Sequence, residues 1–395
     1  MSFNIALTGL NAVAEQLDTI SNNIANAGTT GFKSSRTEFG SIYADSQAMG
    51  VEVLGKTQSI SQGGSLVSTG RNLDLAISGG GFFVTKASNG DISYTRAGVF
   101  GTDKSNTLVN ASGQKLQGYP VDAAGNLQVG SVGDVQLRNA NLPARASDSL
   151  SFVMNLDSNE TTPPIAPFNA ADADTFNSTY TTKVFDSQGK EHTLTQYFVK
   201  TAANTWDAHY FSDGAAVGAP QTLTFGTDGA LTAPIAPVTV GYPLAGVNPM
   251  AIDIDYSGSS QYGSNFVVTT NLASGYAAGE QTGLSVEKDG MVYATYSNGQ
   301  RMLQGQVVLA TFANADGLKN VNGTAWTETS ASGAALLGSP GAGAFGALSA
   351  GSLENSNVDL TQQLVGLMEG QRNYQANTKV LSTDKELTQV LFSAI

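Results

Sequence analysis

Two apolar stripes at helical spacing, one at each extreme end of the chain, constrain its fold more than anything between them. From Phe3, apolar or small residues recur at heptad intervals: Phe3, Leu7, Leu10, Ala14, Leu17, Ser21 and Ile24. Val13 and Ile20 form a second row beside the first. That spacing predicts an amphipathic helix with a seam along one side. No proline interrupts it, and Gly28, just past Asn26, supplies a stop. At the carboxyl end Ser356 or Asn357 is placed to cap a second helix, with Asp359 in its first turn. Leu360, Leu364, Leu367, Tyr374 and Leu381 then mark a face, which Val365, Met368, Val380, Leu387, Val390 and Leu391 widen. An isolated helix of such length is marginal in water. Both stripes lie at chain ends, with loop-like sequence before the next strands, so the expected partners are each other and further copies of the chain.

Between the ends, turn chemistry dominates. Residues 82–86 and 92–95 flank Asn89-Gly90, and 292–296 run between Asp289-Gly290 and Asn298-Gly299. Residues 193–200, 206–211 and 221–225 read as further strands with turn residues between them. The chain holds 45 glycines and only 13% charged residues, a balance typical of turn-rich β structure and not of helical enzymes. Residues 34–70, rich in Ser, Gly and Gln, look extended and not core-forming. Charge marks a further boundary: 146–283 carries ten of the chain's thirteen net negative charges and eight of its eleven prolines. It reads as a separate, solvated, outward-facing β domain inserted between the halves of another.

The predicted fold class is therefore mainly β with α-helical termini, the two helices pairing as an axial, coiled-coil-like domain with discontinuous β domains between. The expected partition is 1–33 with 353–395 as the axial helices, 34–70 as an extended linker, 71–145 with 284–352 as one β domain, and 146–283 as the inserted acidic one.

The same composition excludes whole classes of function. A net charge of −13 repels phosphate backbones and anionic lipid, so neither nucleic acid nor a membrane surface is an expected partner. No apolar run approaches the roughly 20 residues needed to span a bilayer. The first positive side chain is Lys33, so no cleaved secretory signal is expected. Without cysteine there are no disulfides, thiol nucleophiles or cysteine zinc sites. Gly50 to Thr57 matches the P-loop pattern, but the flanking residues supply neither the strand before it nor the helix after it that would cradle a phosphate. Gly341 to Gly346 fits the dinucleotide fingerprint, yet it follows Pro340 in an Ala/Gly stretch, too late for a βαβ unit. His192 and His209, the only histidines, are expected to be solvent-facing strand residues. Asp253 and Asp255 share a strand face but lack the further carboxylates of a calcium site. No catalytic residue, cofactor or metal is expected.

Two longer segments carry a family resemblance. Ser21 to Lys33, with Asn22, Asn23, Asn26, Gly31 and Phe32, resembles the amino-terminal signature of flagellar rod and hook proteins. Leu353 to Leu360, with Asn357 and Asp359, followed by Gln371 to Asn377 with Arg372 and Tyr374, resembles their carboxyl-terminal signature. Thr69 to Phe83, Tyr94 to Gly98 and Tyr296 to Phe312 also fit, so about two thirds of the chain is covered and 146–283 is not. Gly28 departs from the polar residue many relatives carry. Gly113 to Tyr119, the length and the additional domain favour the hook branch. The resemblance implies a self-assembling, extracellular structural subunit, exported through the flagellar type III apparatus and added beneath a cap. It implies a curved, flexible tube that passes motor torque to the filament as a universal joint. The implied partners are the subunit itself, the distal rod, the hook cap, the hook–filament junction protein and the export apparatus. Two other readings stand beside it: a rod or junction subunit of the same family, and a glycan-binding or enzymatic extracellular β protein using the acidic domain.

Overall fold

The structure, a computed structural model, describes residues 2–44, 47–122, 125–138, 141–322 and 324–393. It is mainly β, with helix α1 (Ser2–Ala25) at one end of the chain and helix α2 (Leu360–Ser393) at the other. Two compact units are present. The first comprises Met1–Asn139, Gly283–Thr295 and Arg301–Ile395; the second comprises Ala140–Thr282 and Tyr296–Gln300.

In the first unit, α1 and α2 pack antiparallel. Gly9 lies against Asn377, Leu17 against Gly370, and Ile20 against Gly366. α1 ends where Asn26 folds back: its backbone and side-chain amides both donate to Asn22 O, at 3.1 and 2.9 Å. α2 starts after Asp359, whose Oδ1 accepts from Gln362 N at 3.1 Å. The cap is thus Asp359, not the expected Ser356 or Asn357, because the Asn357 side chain is committed to other backbone groups.

The chain leaving α1 forms two long antiparallel strands, β1 (Ser35–Ala44) and β2 (Gln47–Gln58), with bulges after Glu38 and Ile42. The Ser/Gly/Gln composition hid this pairing; what anchors it is contact with α1, including a buried Thr19–Thr37 hydroxyl pair at 2.8 Å. The P-loop-like Gly50 to Thr57 is part of β2, and a turn followed by the strand Leu66–Ser68 comes after it.

The β part of this unit is built around the hairpin Phe82–Lys86 and Ile92–Thr95. Phe83 faces one core with Leu75, Phe100, Leu116 and Leu309, while Phe82 and Val84 face a second with Tyr94, Val308 and Trp326. Successive side chains point to opposite faces, so a strand covered on both sides reads as continuous hydrophobic sequence. Segments near the two chain ends are stitched into it: Leu75–Ser78 pairs with Ala347–Ala350, and Leu66–Ser68 with Ser352–Glu354.

The second unit is two sheets sharing one core. Ser149–Asp157 pairs antiparallel with Val267–Ala273 and parallel with Met250–Asp255 and Ser260–Tyr262. Ser178–Phe185, Glu191–Ala202, Thr205–Ser212, Gln221–Phe225 and Leu231–Ala233 form the other sheet as an antiparallel meander. In Thr205–Ser212 every second residue is buried, the alternation expected of a half-solvated strand. Phe152, Leu156, Phe198, Trp206, Leu223 and Ile252 fill the interior. Trp206 Nε1 donates to Gln261 Oε1 at 2.9 Å, which satisfies its one polar atom.

Neither histidine is a free surface residue, contrary to the sequence reading. His192 shares the inward parity of Leu194 and Phe198 on its strand and is buried. His209 has outward parity, but Phe168 stacks on its ring at 4.0 Å.

Candidate functional site

The helix pair has two flanks of different chemistry. The flank of α1 turned inward is made of small and polar residues: Ala6, Ala12, Thr19 and Asn23 are buried, with Ile20 the one large side chain among them. Gly366 and Gly370, four apart on α2 and so on one face, let the helices approach closely. A Cβ on Gly370 would lie 2.7 Å from Leu17 Cδ2. The large apolar residues of the predicted stripes are left further out. Phe3, Leu7, Leu360, Leu364 and Tyr374 are all more than 40% exposed. Leu10, Leu17, Ile24, Leu367 and Leu381 are half-buried. Val365, Met368, Val380 and Leu387 extend the exposed band along α2.

The signature residues at the helix ends form a joint. Asn23 is buried; its Nδ2 donates to Ser35 O at 2.8 Å and Gln363 Oε1 at 3.0 Å, and its Oδ1 accepts from Ser35 N at 2.9 Å. One side chain thereby ties α1 to β1 and to α2. Asn357 does the same from the other direction. Its Oδ1 accepts from Ser34 N at 2.7 Å, and its Nδ2 donates to Ser59 O and Gln62 O at 3.0 and 3.1 Å. Phe32 is buried beside them. Gly31 has φ +70°, and a Cβ there would meet Ala97 N at 2.5 Å, so both conformation and space demand glycine. Asn26 receives the Thr29 hydroxyl at 3.1 Å, whereas Asn22 and Arg372 are exposed.

At the centre of the joint three charged residues meet that the stripes and motifs do not show to be in contact. Glu354, fully buried, accepts from Lys33 Nζ at 2.6 Å through Oε1 and from Arg96 Nη1 at 3.1 Å through Oε2. Gly64 N also donates to Oε1 at 2.9 Å. Lys33 Nζ donates further to Gln62 O, and Arg96 Nη2 to Gly79 O at 2.9 Å. The Arg96 guanidinium lies over the Phe82 ring, 5.2 Å from its centroid. Burial pushes both cations below their ordinary values, and Glu354 opposes that shift in each case. Two cations on one carboxylate thus fasten the segment after α1 and the segment before α2 to the β core. The available sequence signal was that all three residues fall inside segments that carry the resemblance: Lys33 in Ser21 to Lys33, Arg96 in Tyr94 to Gly98 and Glu354 in Leu353 to Leu360.

Among the described residues no cluster of three or more His, Asp or Glu side chains is arranged to hold a metal, and no helix is long and apolar enough to cross a membrane. Asp253 accepts from the Thr239 hydroxyl at 2.6 Å, and Asp255 binds Ser257.

Terminal helices braced to a β unit define an axial subunit of the flagellar rod and hook class, and models of that class match the chain in four places. These are Flagella basal body rod protein (residues 3–33), Flagellar hook protein FlgE/F/G D1 domain (76–151), Flagellar basal body protein FlaE D2 domain (155–276) and Flagellar basal body rod FlgEFG protein C-terminal (349–393). The acidic stretch that the motif resemblance did not reach is therefore included. The chain is 40% identical to the flagellar hook protein FlgE of Salmonella typhimurium and 39% identical to that of Escherichia coli K12, over 99% of each chain in both cases. The crystal structure of Helicobacter pylori flagellar hook protein FlgE2 shares the fold, with TM-score 0.53 at 13% identity over 69% of this chain and 96% of that one. The chain belongs to the flagellar hook protein family: it is a structural subunit of the extracellular hook, and not an enzyme.

Proposed function

We propose that the subunit builds the hook by laying the exposed apolar flank of α1 and α2 against neighbouring copies of itself, and that the resulting curved tube passes motor torque to the filament as a universal joint. The observation that carries this is the division of labour on the helices. Their small, polar inner faces are already satisfied within the chain, while Phe3, Leu7, Leu364 and Met368 are held outward by helices with no further core to enter. Full burial of one such side chain returns about 1.5–3 kcal/mol, and a polymer repeats the gain at every addition. In this reading 1–33 with 353–395 form the axial element, 34–70 the connection, and 71–145 with 284–352 and the inserted 146–283 the β domains. The distal rod, hook cap, hook–filament junction protein and export apparatus are the remaining partners.

The test is electron microscopy of the purified full chain under polymerising conditions. Curved tubes support the reading. Straight tubes would overturn the curvature and the joint, and a strictly monomeric protein that also fails to restore hooks to cells lacking it would overturn the assembly reading.

A further inference from the structure

Both nitrogens of His192 face carboxylates. Nδ1 lies 2.6 Å from Asp213 Oδ2 and Nε2 lies 3.2 Å from Asp186 Oδ2. A neutral imidazole has one N–H and one bare lone pair, so it serves one of these contacts and opposes the other; the imidazolium serves both. The carboxylates are themselves built into turns. Asp186 Oδ1 accepts from Gln188 N and Lys190 N at 2.8 and 2.9 Å, closing the turn between Ser178–Phe185 and Glu191–Ala202. Asp213 Oδ1 accepts from Thr193 N at 2.8 Å and from the Thr193 hydroxyl at 3.0 Å. Asp213 also holds φ +48°, a left-handed conformation that needs support in a residue with a side chain.

We propose that His192, with Asp186 and Asp213, is a protonation-dependent brace that firms one end of the acidic β unit while the ring is charged and loosens it when rising pH removes the proton. Of the neighbouring titratable groups, Tyr242 faces Asp213: burial pushes the Tyr242 hydroxyl up, and the charge of Asp213 adds to this. That hydroxyl donates to Met250 Sδ, and Glu191 is held by Lys183 at 2.9 Å in solvent. The Asp213 hydrogen bond is the largest influence on His192 and raises its value; burial opposes it, and Asp186 adds to it. A raised histidine stabilises fully below its unfolded value of about 6.5 and loses that contribution as pH climbs through the folded value. Asp186 and Asp213 are both held below the usual carboxylate range, Asp186 by backbone amides and His192 despite burial, so the brace is also lost in strong acid. The hook lies outside the cell, so this end of the subunit responds directly to the medium.

The chain has two histidines, so proton NMR of the full-length monomer gives two ring titrations, assigned with His209→Gln. His192 titrates at higher pH than His209, whose ring is pushed down by burial against Phe168. Asp213→Asn moves the His192 midpoint down. Through the wild-type titration, the exchange protection of the Thr193 amide falls by up to about tenfold per pH unit, one proton being linked to opening. A His192 midpoint at or below that of His209, an Asp213→Asn midpoint that does not move, or Thr193 protection flat across the His192 titration would each overturn the proposal.

Discussion

Replacing Glu354 with alanine removes the carboxylate that neutralises Lys33 and Arg96 and leaves two cations facing each other in a buried joint. Both are essentially inaccessible, at 0% and 4% side-chain exposure, so neither can turn to solvent. Breaking a buried ion pair by deleting one partner costs about 3–5 kcal/mol, because a buried charge is left uncompensated. For a domain of 150–250 residues that corresponds to a fall of roughly 6–20 °C in melting temperature. The chain has two tryptophans, and they separate the readout: Trp206 lies in the acidic unit's core, and Trp326 in the β core beneath Phe82. In a Trp206→Phe background, fluorescence of Trp326 therefore reports the unit that Glu354 braces. Lys33 gives a second signature. Its value, already lowered by burial, falls further without Glu354. A basic group depressed on folding binds fewer protons folded than unfolded, so its cost fades as pH rises toward the unfolded lysine value of about 10.4. The Glu354→Ala deficit should thus be smaller at pH 9.5 than at pH 6. A Trp326 transition within about 3 °C of its parent at pH 6, or a deficit that widens in alkali, would refute the argument.

Three further substitutions probe other parts of the molecule. Asn23→Ala strips three hydrogen bonds from a buried junction and orphans Ser35 N, so the same unit should lose about 1–3 kcal/mol by denaturant titration; an unchanged midpoint would show the junction is held elsewhere. Gly370→Val places a branched side chain where a Cβ alone meets Leu17 at 2.7 Å, so α1 and α2 should part and limited proteolysis should trim both ends faster. Lys56→Ala removes only a half-exposed pair with Glu15 at 2.7 Å, so stability should change by at most about 1 kcal/mol and calorimetry should detect no nucleotide binding before or after.

What the sequence made legible was whatever is encoded locally. Heptad-spaced leucines announced both helices, and Asn89-Gly90 announced the hairpin that carries Phe82 and Phe83. The orientation of the helices was not legible from the same stripes. Large apolar residues draw the eye, yet the intramolecular crossing sets Leu17 and Ile20 against Gly370 and Gly366 and leaves most of the stripe outside, because close approach selects for absence of side chain on the facing helix. The pairing of β1 with β2 was hidden because its support comes from α1 and not from its own composition. Glu354, Lys33 and Arg96 were hidden for a different reason. Their meeting depends on segments hundreds of residues apart, and no local pattern records a contact of that span. His192 shows the same limit at short range: it reads as a solvent-facing strand residue, yet the strand turns it inward with Leu194 and Phe198, and only the turns at Asp186 and Asp213 explain why a histidine is tolerated there.

The central claim is that exposed apolar residues on the helix pair serve assembly while the inner face serves the monomer. Leu7 is 42% exposed and Leu364 45%, whereas Ile20 is buried against Gly366. A carboxylate at either exposed position stays hydrated in the monomer but must be desolvated between subunits, at a cost of several kcal/mol per addition. The direct measurement compares Leu7→Asp, Leu364→Asp and Ile20→Asp for monomer melting and for tube formation by electron microscopy. The two exposed-site variants should melt like the parent and form no tubes, while Ile20→Asp should also lower the monomer's melting temperature. Normal tubes from Leu7→Asp and Leu364→Asp, or unfolding of their monomers, would contradict the account.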